Sequence, residues 1–430
     1  MKKFLKSVVV RILTFEAKRL LNRRRPVIVA VTGSVGKTAA KDAIYSILKN
    51  HYVTRKSEKS FNSEIGVPLT VLGLPNAWNN PFLWLKNIVD GFFIAFFAKD
   101  YPEYLIIEAG IDRPNDMVNL TKWLKPHIVV LTRLPDVPVH VEYFASPEAV
   151  VEEKLRLVDA LDPEGVIVYN HDDEIIQSKL PEFRHKAIGF SRYLSSHFLA
   201  GKDQIYYRDD VPAGISFVID NLGDKYEVKV AGAVGVQYVY TCAAAIATAV
   251  SCGVSVAEAA KALEEYLPPP GRMNILAGIK GTVIIDDSYN ASPAATVQAL
   301  ATLKEIRYAK RKIAVLGDML ELGQFSAREH EKIGEFVPHC ADVLFTVGVR
   351  ARSMAEASLN NGLSDKTVYQ YDDAARAGRE LQAFIKPGDV ILIKGSQGVR
   401  AERIVEEIMQ EPERASELLV RQGREWQKRK

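Results

Sequence analysis

The sequence predicts an α/β protein with two parallel-sheet units, and three observations lead to that prediction. Short apolar runs rich in β-branched residues alternate with stretches of helical periodicity, which is typical of helices packed against a parallel sheet. The alternation occurs twice, before and after the run Leu267-Pro268-Pro269-Pro270-Gly271, whose prolines cannot continue a helix. The 430 residues are also too many for one ordinary domain.

The composition indicates a core-forming chain without a general affinity for nucleic acid. Hydrophobic residues make up 47% of the chain and charged residues 25%, which excludes a mainly disordered or coiled-coil protein. The net charge of +3 gives no reason to expect a nucleic-acid partner. Cys242, Cys252 and Cys340 form no metal-type cluster and suit a reducing compartment, so we expect a cytoplasmic protein.

The first predicted element is a basic helix over residues 1–25. Nine Lys and Arg residues against one acid, Glu16, give this segment a charge of +8. At 3.6 residues per turn, one side of the helix is apolar and most basic side chains lie opposite. The apolar side is formed by Phe4, Leu5, Val8, Ile12 and Phe15. Such a helix either lies peripherally on the inner face of an anionic membrane or docks on its own protein with a solvated basic face.

The first series of elements, residues 26–268, predicts one domain. Its strand candidates are the apolar runs 27–32, 105–108, 128–132 and 166–170. Helical periodicity predicts helices at 39–48, 147–161 and 239–251. Alternating runs within residues 203–231 predict a small antiparallel section added to the parallel sheet.

Residues 76–101 form an insertion in this series, with six aromatic side chains between positions 81 and 98. Lys86, Asn87 and Asp90 interrupt its apolar run, so a membrane-spanning helix is not expected. We predict an amphipathic helix that packs into the core. The alternatives are that it covers a neighbouring domain, grips a substrate or touches a membrane.

A phosphate-binding loop is predicted where the first strand candidate meets the following helix. The segment reads Thr32-Gly33-Ser34-Val35-Gly36-Lys37-Thr38. Its glycines let backbone N–H groups point into a concave nest, and the helix N-terminus adds partial positive charge. Lys37 would neutralise the β- and γ-phosphates, and the Thr38 hydroxyl would bind Mg²⁺. The loop therefore predicts ATP binding by residues 32–38.

This loop is the first of several motifs that, in the same order, resemble the Mur ligase family of ATP-dependent amide-forming enzymes. The others are N-S-E-I-G-V-P-L-T at 62–70, I-I-E-A-G at 106–110, H-V-E-Y-F at 140–144, Lys154 within E-E-K-L, G-R-M at 271–273, D-D-S-Y-N-A-S-P at 286–293, L-G-D-M-L-E-L-G at 316–323 with His330, and K-G-S at 394–396. The last three resemble the branch that adds D-alanyl-D-alanine to UDP-N-acetylmuramoyl-tripeptide. The resemblance implies a central ATP-binding domain with a P-loop parallel sheet over residues 26–268 and a Rossmann-like α/β domain over residues 271–430.

The resemblance also implies an ATP site with two Mg²⁺ ions at the edge of the first sheet. Thr38 and Glu108 would hold one ion, and Glu108 and His140 would hold the other. Lys154 stands where the family carries a carbamate that helps to hold a metal, although a helix lysine among glutamates is usually a solvated ion pair. Lys37, Glu108, His140 and Lys154 are therefore the expected catalytic residues.

The second domain is expected to supply the remaining contacts with the substrates. The resemblance implies that Arg272, Asp287 and Asn290 meet the nucleotide. The expected substrate contacts, which include one residue of the first domain, are Asn62, Asp318, His330, Lys394 and Ser396.

The implied reaction converts ATP, a carboxylate and an amine into an amide, ADP and phosphate through an acyl phosphate. We expect a monomer acting on small molecules, with UDP-N-acetylmuramoyl-tripeptide and D-alanyl-D-alanine as substrates in peptidoglycan synthesis. Typical members carry a UDP-sugar-binding domain before the phosphate loop, whereas about thirty residues precede it here. Two alternatives therefore stay open. One is a related ligase with another carboxylate and amino acid, of pseudomurein- or cyanophycin-like type, and the other is a membrane-attached ATP-binding partner protein.

Overall fold

The computed structural model describes residues 3–58, 61–423 and 426 of the chain. The described strands form two sheets, one before and one after the proline run 268–270. Helices pack on both sheets, and the α/β class predicted from the sequence is confirmed.

The first sheet has nine strands. They are β1 (Val27–Thr32), β2 (Thr54–Lys56), β3 (Tyr104–Glu108), β4 (Ile128–Leu131), β5 (Val166–Asn170), β6 (Lys186–Ser191), β7 (Phe198–Arg208), β8 (Val211–Asn221) and β9 (Asp224–Ala231). Their order is β2-β3-β1-β4-β5-β6-β7-β8-β9. Neighbours from β2 to β7 run parallel, whereas β7, β8 and β9 pair antiparallel. The antiparallel section predicted within residues 203–231 is present as one edge of this sheet.

The second sheet has six strands. They are β10 (Asn274–Gly278), β11 (Thr282–Asp287), β12 (Arg311–Gly317), β13 (Val343–Val347), β14 (Val368–Tyr371) and β15 (Asp389–Lys394). Their order is β10-β11-β15-β12-β13-β14, and all pairs are parallel except β10 with β11. The carboxyl ends of β11, β12 and β15 therefore meet at one edge, which is where open α/β sheets bind ligands.

Nine α-helices accompany the first sheet in the described part of the chain, and six accompany the second. The first group is α1 (Lys3–Arg24), α2 (Lys37–Leu48), α3 (Gly66–Leu72), α4 (Pro81–Phe97), α5 (Asp116–Thr121), α6 (Pro147–Asp159), α7 (Glu174–Lys179), α8 (Gln237–Ser251) and α9 (Val256–Ala262). The second group is α10 (Pro293–Glu305), α11 (Ser326–Phe336), α12 (Arg352–Asn360), α13 (Ala374–Phe384), α14 (Glu402–Ile408) and α15 (Ala415–Leu418). Over the described residues, none of these helices has the length and apolar character needed to cross a bilayer.

The central parallel strands of the first sheet, β1, β3, β4 and β5, bury both of their faces. In β1, Val29 and Val31 pack with α2 and α8, whereas Ile28 and Ala30 pack with α1, α3 and α6 on the other face. Side chains alternate between the two faces of a strand, so burial on both sides requires a continuous apolar run. This is the pattern by which the sequence identified β1.

The helix predicted at residues 1–25 is present as α1, but its predicted docking side is wrong. Its buried side is formed by Val9, Leu13, Glu16, Ala17, Leu20 and Leu21. Leu5, Val8 and Phe15, assigned to the apolar side from the sequence, are exposed, and Phe4 lies outside the residues whose side chains are described. The helix is apolar on two sides, and contact with α3 and α4 selects the side that includes one acid.

The prediction that the insertion packs into the core is also wrong for most of its side chains. In α4, only Trp84, Asn87, Gly91 and Ala95 are buried, and they form one stripe of the helix. The opposite side exposes seven large apolar residues, namely Phe82, Leu83, Leu85, Val89, Phe92, Phe93 and Phe97. A narrow docking stripe suffices because Gly91 and Ala95 let the helix backbone approach α1 and α3 closely.

Polar and charged groups join α1 to α4. The Arg23 guanidinium donates to the carbonyls of Ile94 and Ala98 at 3.1 and 2.8 Å, at the carboxyl end of α4. A Cβ on Gly91 would lie 2.2 Å from Glu16 Oε2, so only glycine admits the buried carboxyl there. Burial raises the pKa of Glu16 to about 7.

Candidate active site

The phosphate loop joins β1 to α2, and the carboxyl end of β4 braces it. Gly33 has a φ of 140°, and a Cβ there would lie 2.1 Å from the Thr132 hydroxyl oxygen. That hydroxyl donates to the Val35 carbonyl at 2.7 Å, and the Ser34 N–H donates to the Arg133 carbonyl at 2.7 Å. Only glycine tolerates both this φ and this close approach.

Lys37 begins α2 and folds back over the loop. Its Nζ donates to the Gly33 carbonyl at 2.9 Å. Gly36, with a φ of 87°, stands at the N-cap without a capping side chain, so backbone N–H groups of the first turn are free to bind an anion. Burial lowers the pKa of Lys37, while the charge of Glu108 opposes that effect.

Glu108 lies beside the loop because it is the register partner of Val31 in the β1–β3 pair. The residue is 2% exposed. Its Oε1 accepts from Asn62 Nδ2 at 3.1 Å, whereas Oε2 is buried and has no hydrogen-bond partner among the described residues. The hydroxyl oxygens of Thr32 and Ser34 are buried without partners there as well. Buried oxygens are normally satisfied, so this cluster fits a bound phosphate and cation.

Lys154, on α6, is buried, so the interpretation of a solvated ion pair is wrong. The residue is 1% exposed and makes no hydrogen bond or ion pair with the described residues. Burial lowers its pKa well below the usual value, and the charge of Lys37 acts in the same direction. Asp112 and Glu108 oppose the shift through longer-range attraction. These electrostatic interactions place Lys154 in the same region as Lys37 and Glu108.

His140 lies between carboxylates of the two lobes, which are the parts of the chain built on the first sheet and on the second sheet. Its Nδ1 is 2.8 Å from Glu321 Oε2, and its Nε2 is 3.7 Å from Asp112 Oδ1. Hydrogen bonding by His140 lowers the pKa of Glu321. His140 therefore connects the first lobe, which contains Asp112, with the second, which contains Glu321.

Asp112 and Glu321 are site residues that the sequence-based prediction missed. Asp112 follows the I-I-E-A-G motif by two residues, and Glu321 lies inside the L-G-D-M-L-E-L-G motif. Their position in or beside a motif was the only sequence signal that could have identified them. Their contacts with His140 join residues far apart in sequence, and no local pattern predicts such contacts.

The second lobe presents a buried ion pair toward the loop. Lys394 Nζ lies 2.5 Å from Asp287 Oδ2 and donates to the Asn290 carbonyl at 3.0 Å. The pair forms because Asp287 and Lys394 are register partners at the ends of β11 and β15. Burial raises the pKa of Asp287, and Lys394 opposes that shift. The Arg272 guanidinium lies 4.0 Å from the ring centre of Tyr289.

A pocket between the lobes joins these groups to the phosphate loop. Its lining includes Ser34, Val35 and Gly36 from the loop, Gln237, Tyr238 and Thr241 from α8, and Arg272, Asp287, Asn290 and Lys394 from the second lobe. The pocket therefore brings the middle of the predicted phosphate loop together with the three nucleotide contacts predicted on the second lobe, whereas Thr32, Gly33, Lys37 and Thr38 are not part of its lining.

The remaining predicted substrate contacts of the second lobe lie around the loop that follows β12. His330 is fully buried, and its Nε2 accepts from the Met319 N–H at 3.0 Å. Burial lowers the pKa of His330. The Ser396 hydroxyl accepts from the Leu320 N–H at 2.9 Å, and Asp318 accepts a backbone N–H at 2.7 Å. These bonds fix residues 318–320 at the edge of the cleft.

The residues present suit Mg²⁺ held partly by phosphate. Within the described ranges, no three His, Cys, Asp or Glu side chains lie together as a ready-made metal site. Mg²⁺ is usually bound by one or two carboxylates together with substrate phosphates and waters. Glu108, with a free Oε2, and Thr38, in the first turn of α2, match that requirement.

Fold and site together define a two-lobed ATP-binding protein. The sequence model of the Mur ligase middle domain matches residues 89–249, and that of the Mur ligase glutamate ligase domain matches residues 271–397. Together the two matches cover more than half of the chain, and the chain belongs to the Mur ligase family. The resemblance seen in the sequence motifs is confirmed.

Relatives and solved structures agree with this assignment. The UDP-N-acetylmuramoyl-tripeptide–D-alanyl-D-alanine ligase of Bacillus subtilis is 28% identical over 400 residues, which are 92% of this chain and 79% of that one. The ligase of the same name from Mycobacterium tuberculosis is 29% identical over 86% of this chain and 70% of that one. The MurF ligase of Thermotoga maritima in complex with ADP matches with a TM-score of 0.75 at 25% identity. The match covers 94% of this chain and 84% of that one. A pseudomurein peptide ligase type C from Methanothermus fervidus shares the fold, with a TM-score of 0.65 at 17% identity over 89% and 79%.

These matches define the class of reaction. The chain is an ATP-dependent, ADP-forming ligase, and ligases of this kind use ATP with Mg²⁺.

Proposed function

We propose that the chain joins a carboxylate to an amine through an acyl phosphate, with UDP-N-acetylmuramoyl-tripeptide and D-alanyl-D-alanine as substrates in peptidoglycan synthesis. The observation that carries the proposal is the pocket in which the phosphate loop faces Asp287 and Lys394 of the second lobe. The matched relatives carry the names of ligases for this tripeptide and dipeptide, which supports the choice of substrates.

In the proposed reaction, a tripeptide carboxylate oxygen attacks the γ-phosphorus of ATP, and ADP leaves. The amine of the dipeptide then attacks the acyl carbon, phosphate leaves, and the amine loses a proton. Negative charge accumulates where ATP meets the carboxylate, so fixed cations and backbone donors accelerate the reaction. Lys37 and the free N–H groups of α2 supply them from one lobe, and Arg272 supplies a cation from the other.

We propose that Thr38 and Glu108 hold one Mg²⁺ and that Glu108 and His140 hold a second. The unpartnered Glu108 Oε2 supports both assignments, because it is a buried anionic oxygen available for a cation. Bound Mg²⁺ would neutralise phosphate charge and orient the γ-phosphate.

We also propose that Lys154 is carbamylated. A neutral Nζ adds to CO₂, an N–C bond forms, and one proton is released. Lys154 is buried without a partner among the described residues, and its lowered pKa favours the neutral, reactive form of the amine. The carbamate would place an anion near the Lys37 ammonium, and the attraction between the two charges would favour the modified lysine.

We propose a monomer in the cytoplasm that contacts the inner face of the membrane peripherally through residues 1–25. The support is an apolar surface on α1 and α4, formed by the exposed residues Leu5, Val8, Phe15, Phe82, Leu83, Leu85, Val89, Phe92, Phe93 and Phe97. The exposed cations Arg19, Arg23 and Lys86 lie on the same two helices. Aromatic side chains beside cations complement an anionic lipid bilayer.

The ligase assignment is tested by ADP release from ATP with each substrate alone and with both. We expect release only when tripeptide and dipeptide are both present, and a panel of other carboxylates and amines covers the pseudomurein- and cyanophycin-like alternatives. Lys37→Ala should abolish turnover, whereas Lys49→Ala, an exposed lysine at the other end of α2, should not. Turnover that needs neither substrate, or unchanged turnover in Lys37→Ala, would contradict the proposal.

A further inference from the structure

A groove runs from the cleft between the lobes along the side of α1. It has a volume of about 620 Å³. Its lining includes Lys6, Val10, Arg11, Thr14, Phe15 and Lys18 from α1 and Asn62, Glu64, Asp112, Asp116 and Trp123 opposite. Lys6, Glu64, Asp112 and Asp116 also line the cleft beside His140, so the two spaces are continuous.

Charge is distributed unevenly along the groove. The acids lie at the catalytic end, where Glu64 is already paired with Lys6 at 2.7 Å. Arg11 and Lys18 line the groove but not the cleft. Within the described part of the chain, neither of them makes a hydrogen bond or an ion pair. The end remote from the catalytic groups therefore offers two cations without an anion.

The spacing of these cations suits one extended anionic group. Arg11 and Lys18 are seven residues apart, which is about two turns and roughly 10 Å along α1, so both face the same side. Trp123 and Phe15 add aromatic surface to the groove. Two cations beside aromatic rings match a diphosphate attached to a base or to a lipid chain.

We propose that Arg11 and Lys18 bind the diphosphate of the carboxylate substrate, so that its peptide end extends along the groove to the catalytic cleft. This inference rests on the proposed function and adds a binding site on α1. An extended tripeptide spans at most about 10 Å. This length suits the part of the groove that leads from Arg11 past Lys6 toward the cleft. Phe15 lines the groove and also belongs to the apolar surface of α1 and α4, so a nucleotide-linked and a lipid-linked diphosphate can both reach this site.

Direct binding tests this site without requiring turnover. The probes are UDP in solution and farnesyl diphosphate in neutral vesicles, with vesicles of equal charge from phosphatidylglycerol as the reference. We expect one of the two diphosphates to bind the full chain. The double variant Arg11→Glu/Lys18→Glu should weaken that binding at least tenfold. Arg379→Glu, which reverses a charge at an exposed position of α13, should leave diphosphate binding unchanged. The responding probe identifies the carrier of the diphosphate.

Two results would overturn the inference. One is that the wild-type chain does not bind UDP and binds the farnesyl diphosphate vesicles no more tightly than the phosphatidylglycerol vesicles. The other is that the double variant, with an unchanged thermal unfolding curve, binds as tightly as the wild type. If amide formation fails while diphosphate binding is lost in the double variant, the proposed reaction is wrong but the site on α1 stands.

Discussion

Glu108 and Val31 are register partners in adjacent parallel strands, so the Glu108 carboxylate emerges next to the phosphate loop two residues before Gly33. Its Oε1 is held by Asn62 and its Oε2 is free of partners in the described chain. A buried charge with one oxygen unsatisfied costs stability unless a cation completes it. A cation bound here would remove that cost.

Glu108→Gln should lower the turnover of ATP on the order of a hundredfold or more, because the amide removes charge that would hold the cation. The variant is isosteric and retains an oxygen for Asn62. Its melting temperature should therefore equal or exceed that of the wild type without ligand. Full activity in this variant would remove Glu108 from the metal site.

Lys154→Ala should lose activity because it lacks the amine that would carry the carbamate. Short-chain carboxylic acids should restore part of the activity by supplying an anion in the vacated space. The matched control is Lys179→Ala on α7, a surface lysine that should show neither loss nor rescue. Failure of every carboxylic acid to restore activity, together with an unmodified mass for Lys154 in the wild type, would contradict carbamylation.

The contact between α1 and α4 should weaken as pH rises through neutrality. The folded-state pKa of Glu16 is about 7 against an ordinary value of 4.5, so the folded chain retains a proton that the unfolded chain has released. Stability from this group is therefore present below pH 4.5 and is lost as pH rises to about 7. Glu16→Gln should be more stable than the wild type at about pH 8, and the gap should shrink toward pH 5.

Urea unfolding at the two pH values measures this gap. Glu264→Gln, at an exposed position, serves as the control and should show no such dependence. A gap that is constant with pH would mean that Glu16 does not titrate in this range.

Phe93→Ser with Phe97→Ser should reduce binding to anionic vesicles at least tenfold, because both rings belong to the exposed apolar surface of α4. Co-sedimentation with phosphatidylglycerol vesicles measures the effect. Leu222→Ser, at an exposed residue of the loop between β8 and β9, is the matched control and should leave binding unchanged. If the wild type instead forms a concentration-dependent dimer that the double variant abolishes, the surface contacts a second copy rather than lipid.

Local signals were sufficient for the phosphate loop. Its glycines, Lys37 and the preceding β-branched strand lie within about a dozen residues. The backbone conformation required at each position therefore follows from the local sequence alone. The buried central strands were equally accessible, because burial on both faces requires continuous apolar runs. Edge strands such as β2 and β14 escaped prediction, since half-buried strands carry mixed polar and apolar residues.

The remaining features depend on tertiary contacts. The docking side of α1 is decided by α3 and α4, and the burial of Lys154 is decided by what packs on α6. The pairing of His140 with Glu321 requires the second lobe. None of these follows from periodicity or spacing within one segment.

The acyl phosphate is tested most directly by following the oxygen of the tripeptide carboxylate. With ¹⁸O in that carboxylate, the proposed reaction transfers one labelled oxygen to each phosphate released as the amide forms. We predict labelled phosphate in equal amount to amide product. Amide formed together with unlabelled phosphate would contradict the attack of the carboxylate on ATP.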